Sequence, residues 1–455
     1  MSQTAAVINR LRTAITGTVI TPSEPAYDEA RQVYSGSIDR HPAVIARPVN
    51  VTEVAAVIGA ARESGLPLAI RSGGHSGVGH GTTDGGIVLD VRDLNSLEID
   101  VEGRTAWAGA GLTAGEYTKQ AGAHGLATGF GDTGSVGLGG LTLGGGVGFL
   151  SRKYGLTIDS LLAAEVVTAN GEILKVDATS HPDLFWAIRG GGGNFGVATR
   201  FKFRLHPVPQ VVGGLLVLPA SADVIVQTAA LAEAAPEELS LIAAVMPVPP
   251  MPFIPAAAHG KLSVLMFLCY AGDAAAGEAA IAPFRALATP MVDMVRPITY
   301  PEMFPPEDHS FRPKATGRTL FIKTIDHAAA ETMLAQLIAS TAPMRVVQFR
   351  ILGGAIARVA ADATAYAHRQ GRIMVNVAAF FEGPGDKPAR EEWVARLASA
   401  LDQGESGAYV NFVGDEGEKG VRAAYPGATW DRLAAIKLKY DPANVFRLNQ
   451  NIPPA

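Results

Sequence analysis

The 455-residue chain carries a single cysteine, Cys269. A disulfide within the chain is therefore impossible, and so is a zinc site built on several thiolates. Cys269 lies in the apolar run "LSVLMFLCY", which predicts a buried thiol acting as a small hydrophobe, and metal ligands are assigned to no residue. An excess of positive charge is also missing: 38 Lys and Arg face 43 Asp and Glu, for a net charge of −5, and no basic block stands out. That balance excludes nucleic acid as an expected partner. No apolar run is long enough to span a membrane, so no membrane partner is expected either. The opening "MSQTAAVINRLRTAITGTVITP" is polar and has no apolar leader core, which points to a cytoplasmic location. The motif G-x-x-x-x-G-K-[ST] does not occur, which removes P-loop chemistry.

Glycine is what the chain has in quantity. "RSGGHSGVGHG" (71–81) places five glycines around His75, and "GFGDTGSVGLGGLTLGGGVG" (129–148) holds ten in twenty positions. "RGGGGNFG" (189–196) adds Gly190 to Gly193 and Gly196. Such density opposes ordinary helix or strand. The interleaved Val136, Leu138, Leu141, Leu143, Val147 and Phe149 oppose a solvated linker, so an ordered, buried glycine segment is expected.

Around these clusters the pattern is regular. "NVTEVAAVIGAARESG" reads as a helix capped by Asn50 or Thr52 and stopped by Gly65. "LPLAIRSGG" and "GGIVLDV" read as short buried strands, and "AAEVVTANGEILKV" as a hairpin turning at Asn-Gly. "HPDLFWAIRGGGG" opens with a helical turn. From about Val208 the chain becomes Ala/Pro-rich, with strands such as "GKLSVLMFLCY" and "RIMVNVAAFFEGP" alternating with helices such as "AAAETMLAQLIAS". These shifts place boundaries near 206 and 406.

Backbone N–H groups cleared of Cβ atoms converge readily on anions. Three such clusters, each beside a predicted strand, suggest a long ligand with a pyrophosphate and two ring systems. A Rossmann G-x-G-x-x-G is matched only roughly by "GLGGLTLGGG", and in the wrong context.

"RSGGHS", "GSVGLGGLTLGGGVGFLSRKYGLTIDSLLAAEVVTANGEIL", "HPDLFWAIRGGGGNFGVATRF" and "YDPANVFRLNQNIPP" occur in that order. Together they resemble the FAD-linked oxidases of the vanillyl-alcohol oxidase fold (PCMH-type FAD-binding), in the branch of berberine bridge enzyme and 6-hydroxynicotine oxidase. The resemblance covers roughly residues 40–205 and 405–455. Between them the chain follows the family's substrate domain only in general pattern.

The resemblance implies an α+β protein. A two-lobed FAD-binding domain of two α+β subdomains begins in residues 1–205. A substrate domain with a largely antiparallel sheet backed by helices fills 206–405, and 406–455 returns to the FAD domain. FAD is the implied cofactor. Its pyrophosphate would lie on the loop of Arg71, Ser72, Gly73, Gly74, His75, Ser76 and Gly77. Ser135, Val136, Gly139, Gly140, Thr142, Gly145 and Gly146 would line it, Val197 would meet the adenine side through its backbone, and Asn449 and Asn451 would approach the flavin ring.

His75 occupies the position that often carries FAD covalently in the family, and a neutral imidazole suits that bond. His80 lacks the motif position and is expected to be structural. Relatives with a second covalent bond have a cysteine where this chain has Thr133, so His75 alone could form a tether.

The implied reaction takes a hydride from the C–H of an alcohol, amine or sugar onto flavin N5, with O2 as the electron acceptor and H2O2 as product. Tyr409 and Asn411, in "AYVNFVGDE", match catalytic positions, and an alternating strand would point both side chains to one face. His368 and Arg369, and Glu382 on a strand end, are further substrate-contact candidates, while "HSFRPK" reads as a loop. The apolar "MPVPPMPFIP" near the cleft mouth leans toward a hydrophobic substrate over a sugar. A dehydrogenase with another electron acceptor, or a flavin-binding protein without turnover, would share the same motifs. The sequence leaves the substrate and the oligomeric state open.

Overall fold

A computed structural model describes residues 3–252, 254–307, 310–405 and 407–455. Phe253 of the proline-rich run, His309 of "HSFRPK" and Ser406, the first residue of the expected returning segment, lie outside these ranges; Ser310 to Lys314 form a loop.

The strands form three main sheets. The first has four strands in the order Thr18–Ile20, Val44–Arg47, Ile87–Asp90, Leu68–Arg71, parallel except at the first. Helix Val51–Ser64 connects two of them. Asn50 caps it by accepting from Glu53 N–H, and Gly65 ends it at φ 67°, a conformation glycine adopts without a Cβ penalty. The second sheet is antiparallel, in the order Leu97–Asp100, Thr105–Gly109, Val197–Arg204, Leu161–Val167, Ile173–Asp177. Its last two strands are the hairpin read from Asn170-Gly171.

The third sheet is antiparallel and has eight strands. Helices Ala222–Ala234, Ala274–Arg285, His327–Ala339 and Lys387–Leu401 supply apolar residues to the core beneath it, alongside Val347, Phe349, Val375 and Val377. One face of each strand is thus committed to the helices, and alternation turns residues 346, 348, 350, 374, 376 and 378 the other way.

The C-terminal residues Ala408, Val413, Trp430, Leu433, Phe446 and Ile452 pack in the same core as the two smaller sheets. Cys269 is fully buried, and burial pushes its thiol up to about 12.

Two local expectations are corrected. The glycine segment contains a helix, Leu138–Gly144, despite its composition. Leu138, Leu141 and Leu143 are all buried, and tertiary packing of those residues outweighs the low helix propensity of glycine. Tyr409 and Asn411 are not on a strand: residues Val410–Phe412 form a 3-10 turn.

Candidate functional site

The site begins at the carboxyl ends of the parallel strands. Arg71 and Asp90 are register partners there, 1% and 0% exposed. Arg71 Nη2 donates to Asp90 Oδ2 at 2.8 Å and to Ala30 O at 2.6 Å, and Nη1 donates to Gln32 O at 3.3 Å. Arg47 and Arg92 reach the same carboxylate. Burial acts to raise the Asp90 carboxyl, but the three guanidiniums outweigh it and hold it below the usual carboxylate range. The head of Arg71 is therefore occupied inside the protein, and its part in the site is to anchor the loop that follows.

That loop docks against the second glycine segment. Ser72 Oγ donates to Ala110 O at 2.7 Å and accepts from Gly139 N–H at 3.3 Å. A Cβ on Gly73 would lie 2.3 Å from Gly137 N, so the two backbones meet only because both residues are glycine. Gly74 has φ 72°, and a Cβ on Gly77 would meet nothing within 4 Å. His75 stacks on Tyr34 with ring centroids 4.3 Å apart and planes at 19°. Ser76 Oγ accepts from His80 N–H at 3.3 Å.

Further along, Ser135 donates from N–H and Oγ to the carboxylate of Glu307. Val136 O accepts from Ala114 N–H at 2.9 Å. Gly140 leaves open space, whereas Thr142 is fully buried with no partner for its Oγ1 among the described residues. Gly145 and Gly146 have φ of 133° and 78°.

The third cluster closes on the second. Gly190 and Gly192 N–H both donate to Leu143 O at 3.0 Å. Val197, 2% exposed, starts the strand that follows and is register partner to Val167. The C-terminal residues are tied to this cluster. Asn449 Nδ2 donates to Gly193 O and Phe446 O, both at 3.1 Å, while Asn449 Oδ1 and Asn451 Oδ1 are buried without partners among the described residues.

Sequence reading missed Asn194 and Lys437, which hold this arrangement. Asn194 Nδ2 donates to Gly191 O and Gln450 O, and its Oδ1 accepts from Ile452 N–H. Lys437 Nζ, fully buried, donates to Asn194 O, Asp441 Oδ2 and Phe446 O. A lone lysine in an amphipathic helix gives no signal of that task.

Tyr409 and Asn411 are in hydrogen-bond contact across the 3-10 turn. Tyr409 Oη accepts from Gly146 N–H and from Asn411 Nδ2, each at 2.9 Å, and Asn411 Nδ2 also lies 3.2 Å from Leu141 O. Burial raises the Tyr409 phenol, and these two donors and the nearby Arg350 guanidinium oppose that rise. Arg350 itself projects from the eight-stranded sheet, pairs with Asp132 of the glycine segment and lies over the Phe412 ring.

The other substrate-contact candidates are engaged elsewhere. Arg369 is fully buried and holds Asp159 through two hydrogen bonds of 2.7 and 2.8 Å; His368 Nε2 lies 2.9 Å from Ala423 O. Glu382 is exposed, beyond the end of strand Ile373–Phe380. The proline-rich segment places Ile254 against Leu215, Val217 and Leu265 of the sheet, a packing role.

Three buried oxygens without a hydrogen-bond partner among the described residues thus lie at Thr142 of the second glycine segment and at Asn449 and Asn451 of the C-terminal segment, which docks on the third cluster through Asn449. They suit a ligand with ring N–H and hydroxyl donors.

Comparison with known proteins gives matches in both the N-terminal and C-terminal parts of the chain. Residues 42–177 match the FAD binding domain family and residues 408–453 match "Berberine and berberine like". The chain is 32% identical to (R)-6-hydroxynicotine oxidase of Paenarthrobacter nicotinovorans over 458 residues, covering 97% of both chains. It is 30% identical to the xylooligosaccharide oxidase of Thermothelomyces thermophilus, covering 91% of this chain and 88% of that one. The crystal structure of 6-hydroxy-D-nicotine oxidase from Arthrobacter nicotinovorans superposes with TM-score 0.84 at 30% identity, over 97% of this chain and 98% of that chain.

Proposed function

The chain belongs to the FAD-linked oxidoreductases that join an FAD-binding domain to a berberine-like C-terminal segment, and we propose that it is an oxidase of a small molecule with Tyr409 as its proton-handling group. When bound, FAD supplies a ring that takes a hydride from a substrate carbon and passes the electrons to dioxygen, giving hydrogen peroxide.

The protein's part is to bind, orient and move a proton. Ser72 to Gly77 and Ser135 to Gly146 would hold the cofactor largely through main chain. Thr142, Asn449 and Asn451 would give their unpaired oxygens to it. Val197 would back the adenine side, and His75 would be the single tether. On this reading residues 1–205 with 406–455 form the FAD-binding unit, and 206–405 the unit that covers the substrate.

The observation that carries the proposal is the double donation to Tyr409 Oη from Gly146 N–H and Asn411 Nδ2. Burial on balance still holds the phenol above its usual value, and the two donors are what stabilise the oxygen's negative charge when the phenolate forms and accepts the O–H or N–H proton of a substrate as its C–H bond breaks. Anaerobic substrate reduction followed by exposure to air tests the proposal. Rapid return of the yellow colour with one peroxide per turnover supports an oxidase. Slow reoxidation without peroxide, relieved by a quinone, makes it a dehydrogenase.

A further inference from the structure

The face of the eight-stranded sheet turned away from its helices meets the glycine segment and the Tyr409 turn. Asp132 pairs with Arg350 on that face, and Phe412 covers the Arg350 guanidinium at 5.1 Å. Phe321 and Met374, also on that face, pack in one cluster with Tyr366 and Tyr409. The next row of side chains along the strands is set by register: Ala244 opposes Gln348, Gln348 opposes Asn376, and Asn376 opposes Thr319.

Gln348 and Asn376 are half-buried, and their free groups are uncommitted. Gln348 Oε1 accepts from Arg350 Nη1 at 2.6 Å, which fixes the amide and leaves its NH2 free. Among the described residues, neither that NH2 nor the carboxamide of Asn376 has a protein hydrogen-bond partner. The row itself holds no charged side chain, and the one charge in the row beside it, Arg350, is matched by Asp132.

Each substrate class of the proposed oxidase meets this floor differently. A cationic amine finds no carboxylate in the row, and an anion finds no unpaired guanidinium. A wholly apolar molecule would strip water from two carboxamides and return no hydrogen bond, which is costly. A neutral molecule with several hydroxyls can both donate and accept, as two carboxamides require.

Resting on the oxidase reading above, we infer that the substrate is a neutral, hydroxyl-rich molecule of the carbohydrate class, bound by the paired carboxamides of Gln348 and Asn376. Of the proline-rich segment, Val248 and Ile254 pack on the sheet, while Pro250, Met251, Pro252 and Pro255 are exposed.

The test mixes the flavin-loaded protein anaerobically with xylobiose, lactose, 4-methoxybenzyl alcohol and N-methylbenzylamine, and follows loss of flavin absorbance. The inference expects bleaching by a carbohydrate. It also expects Asn376→Leu and Gln348→Leu each to raise the KM for that carbohydrate about tenfold or more, the loss of one good hydrogen bond, with kcat little changed. Bleaching by the amine or the benzylic alcohol and not by either carbohydrate overturns it, as does an unchanged KM in both leucine variants. No bleaching by any of the four also counts against it. The substrate panel uses the unaltered protein, so misfolding of a variant cannot mask the answer. Failure of the oxidase reading is seen separately, as a bleached flavin that air does not restore.

Discussion

Asn411 Nδ2 lies 2.9 Å from Tyr409 Oη, and the N–H of Gly146 donates to the same oxygen at the same distance. A backbone amide from the glycine segment and a side chain from the C-terminal segment thus share one acceptor. Removing the hydroxyl in Tyr409→Phe is expected to lower kcat by about 10²–10⁴-fold while FAD content stays normal. Removing one donor in Asn411→Ala raises the phenol's proton affinity, because a donor favours the ionised form. The rising limb of kcat/KM against pH should therefore move to higher pH. Steady-state kinetics carried above pH 10, where the raised phenol titrates, check both.

Gly73→Ala brings a Cβ to 2.3 Å from Gly137 N, a contact that backbone must move to relieve. Neither loop can yield without losing the Ser72 Oγ contacts to Ala110 and Gly139. The expected result is a protein that folds but carries much less flavin, read as the ratio of flavin to protein absorbance. Gly383→Ala, outside the site, where a Cβ meets nothing within 4 Å, is the control and should keep its flavin.

Asp159 and Arg369 form a two-bonded ion pair with Arg369 fully buried. Deleting one partner strands the other charge, a change that costs about 3–5 kcal/mol in buried pairs. Asp159→Ala should thus be one of the more destabilising single substitutions in the chain, seen as a lower urea midpoint with unchanged slope. The pair also engages the Arg369 guanidinium inside the protein, as the contact with Ala423 O engages His368.

Much of the site was legible because glycine patterns constrain backbone directly. The loop at Gly73 and the turn at Gly145-Gly146 need glycine on steric grounds, and such needs show in sequence. Asn50 and Gly65 bracket their helix by the same kind of local chemistry. The short helix Leu138–Gly144 was not legible, because its stability comes from burial of three leucines by distant segments. The 3-10 turn at Val410–Phe412 was read as a strand for a similar reason: Tyr409 and Asn411 are held together by a contact with Gly146, 263 residues earlier in the chain. The internal posts of Arg71 and Lys437 were hidden too, since a basic residue looks alike in sequence whether it meets a ligand or a buried carboxylate.

His80 and His206 are both pushed down to about 4 by burial, with neighbouring arginines adding to the effect. In the unfolded chain each would titrate near 6.5. The unfolded state therefore binds more protons between those values. The stability they contribute is complete above about pH 6.5 and is lost as pH falls through about 4. Urea midpoints measured from pH 7 to 4 should decline, and the decline should be shallower in His80→Gln and His206→Gln. A flat profile in the unaltered protein would show that these imidazoles stay accessible to protons when folded.

The most direct measurement is the visible spectrum of the protein after acid precipitation, taken beside His75→Ala prepared in the same way. The account predicts yellow precipitate from the unaltered protein, colour in the supernatant from the variant, and normal flavin content in both before acid. A correctly folded protein without flavin absorbance, which cannot be loaded by added FAD, would contradict it.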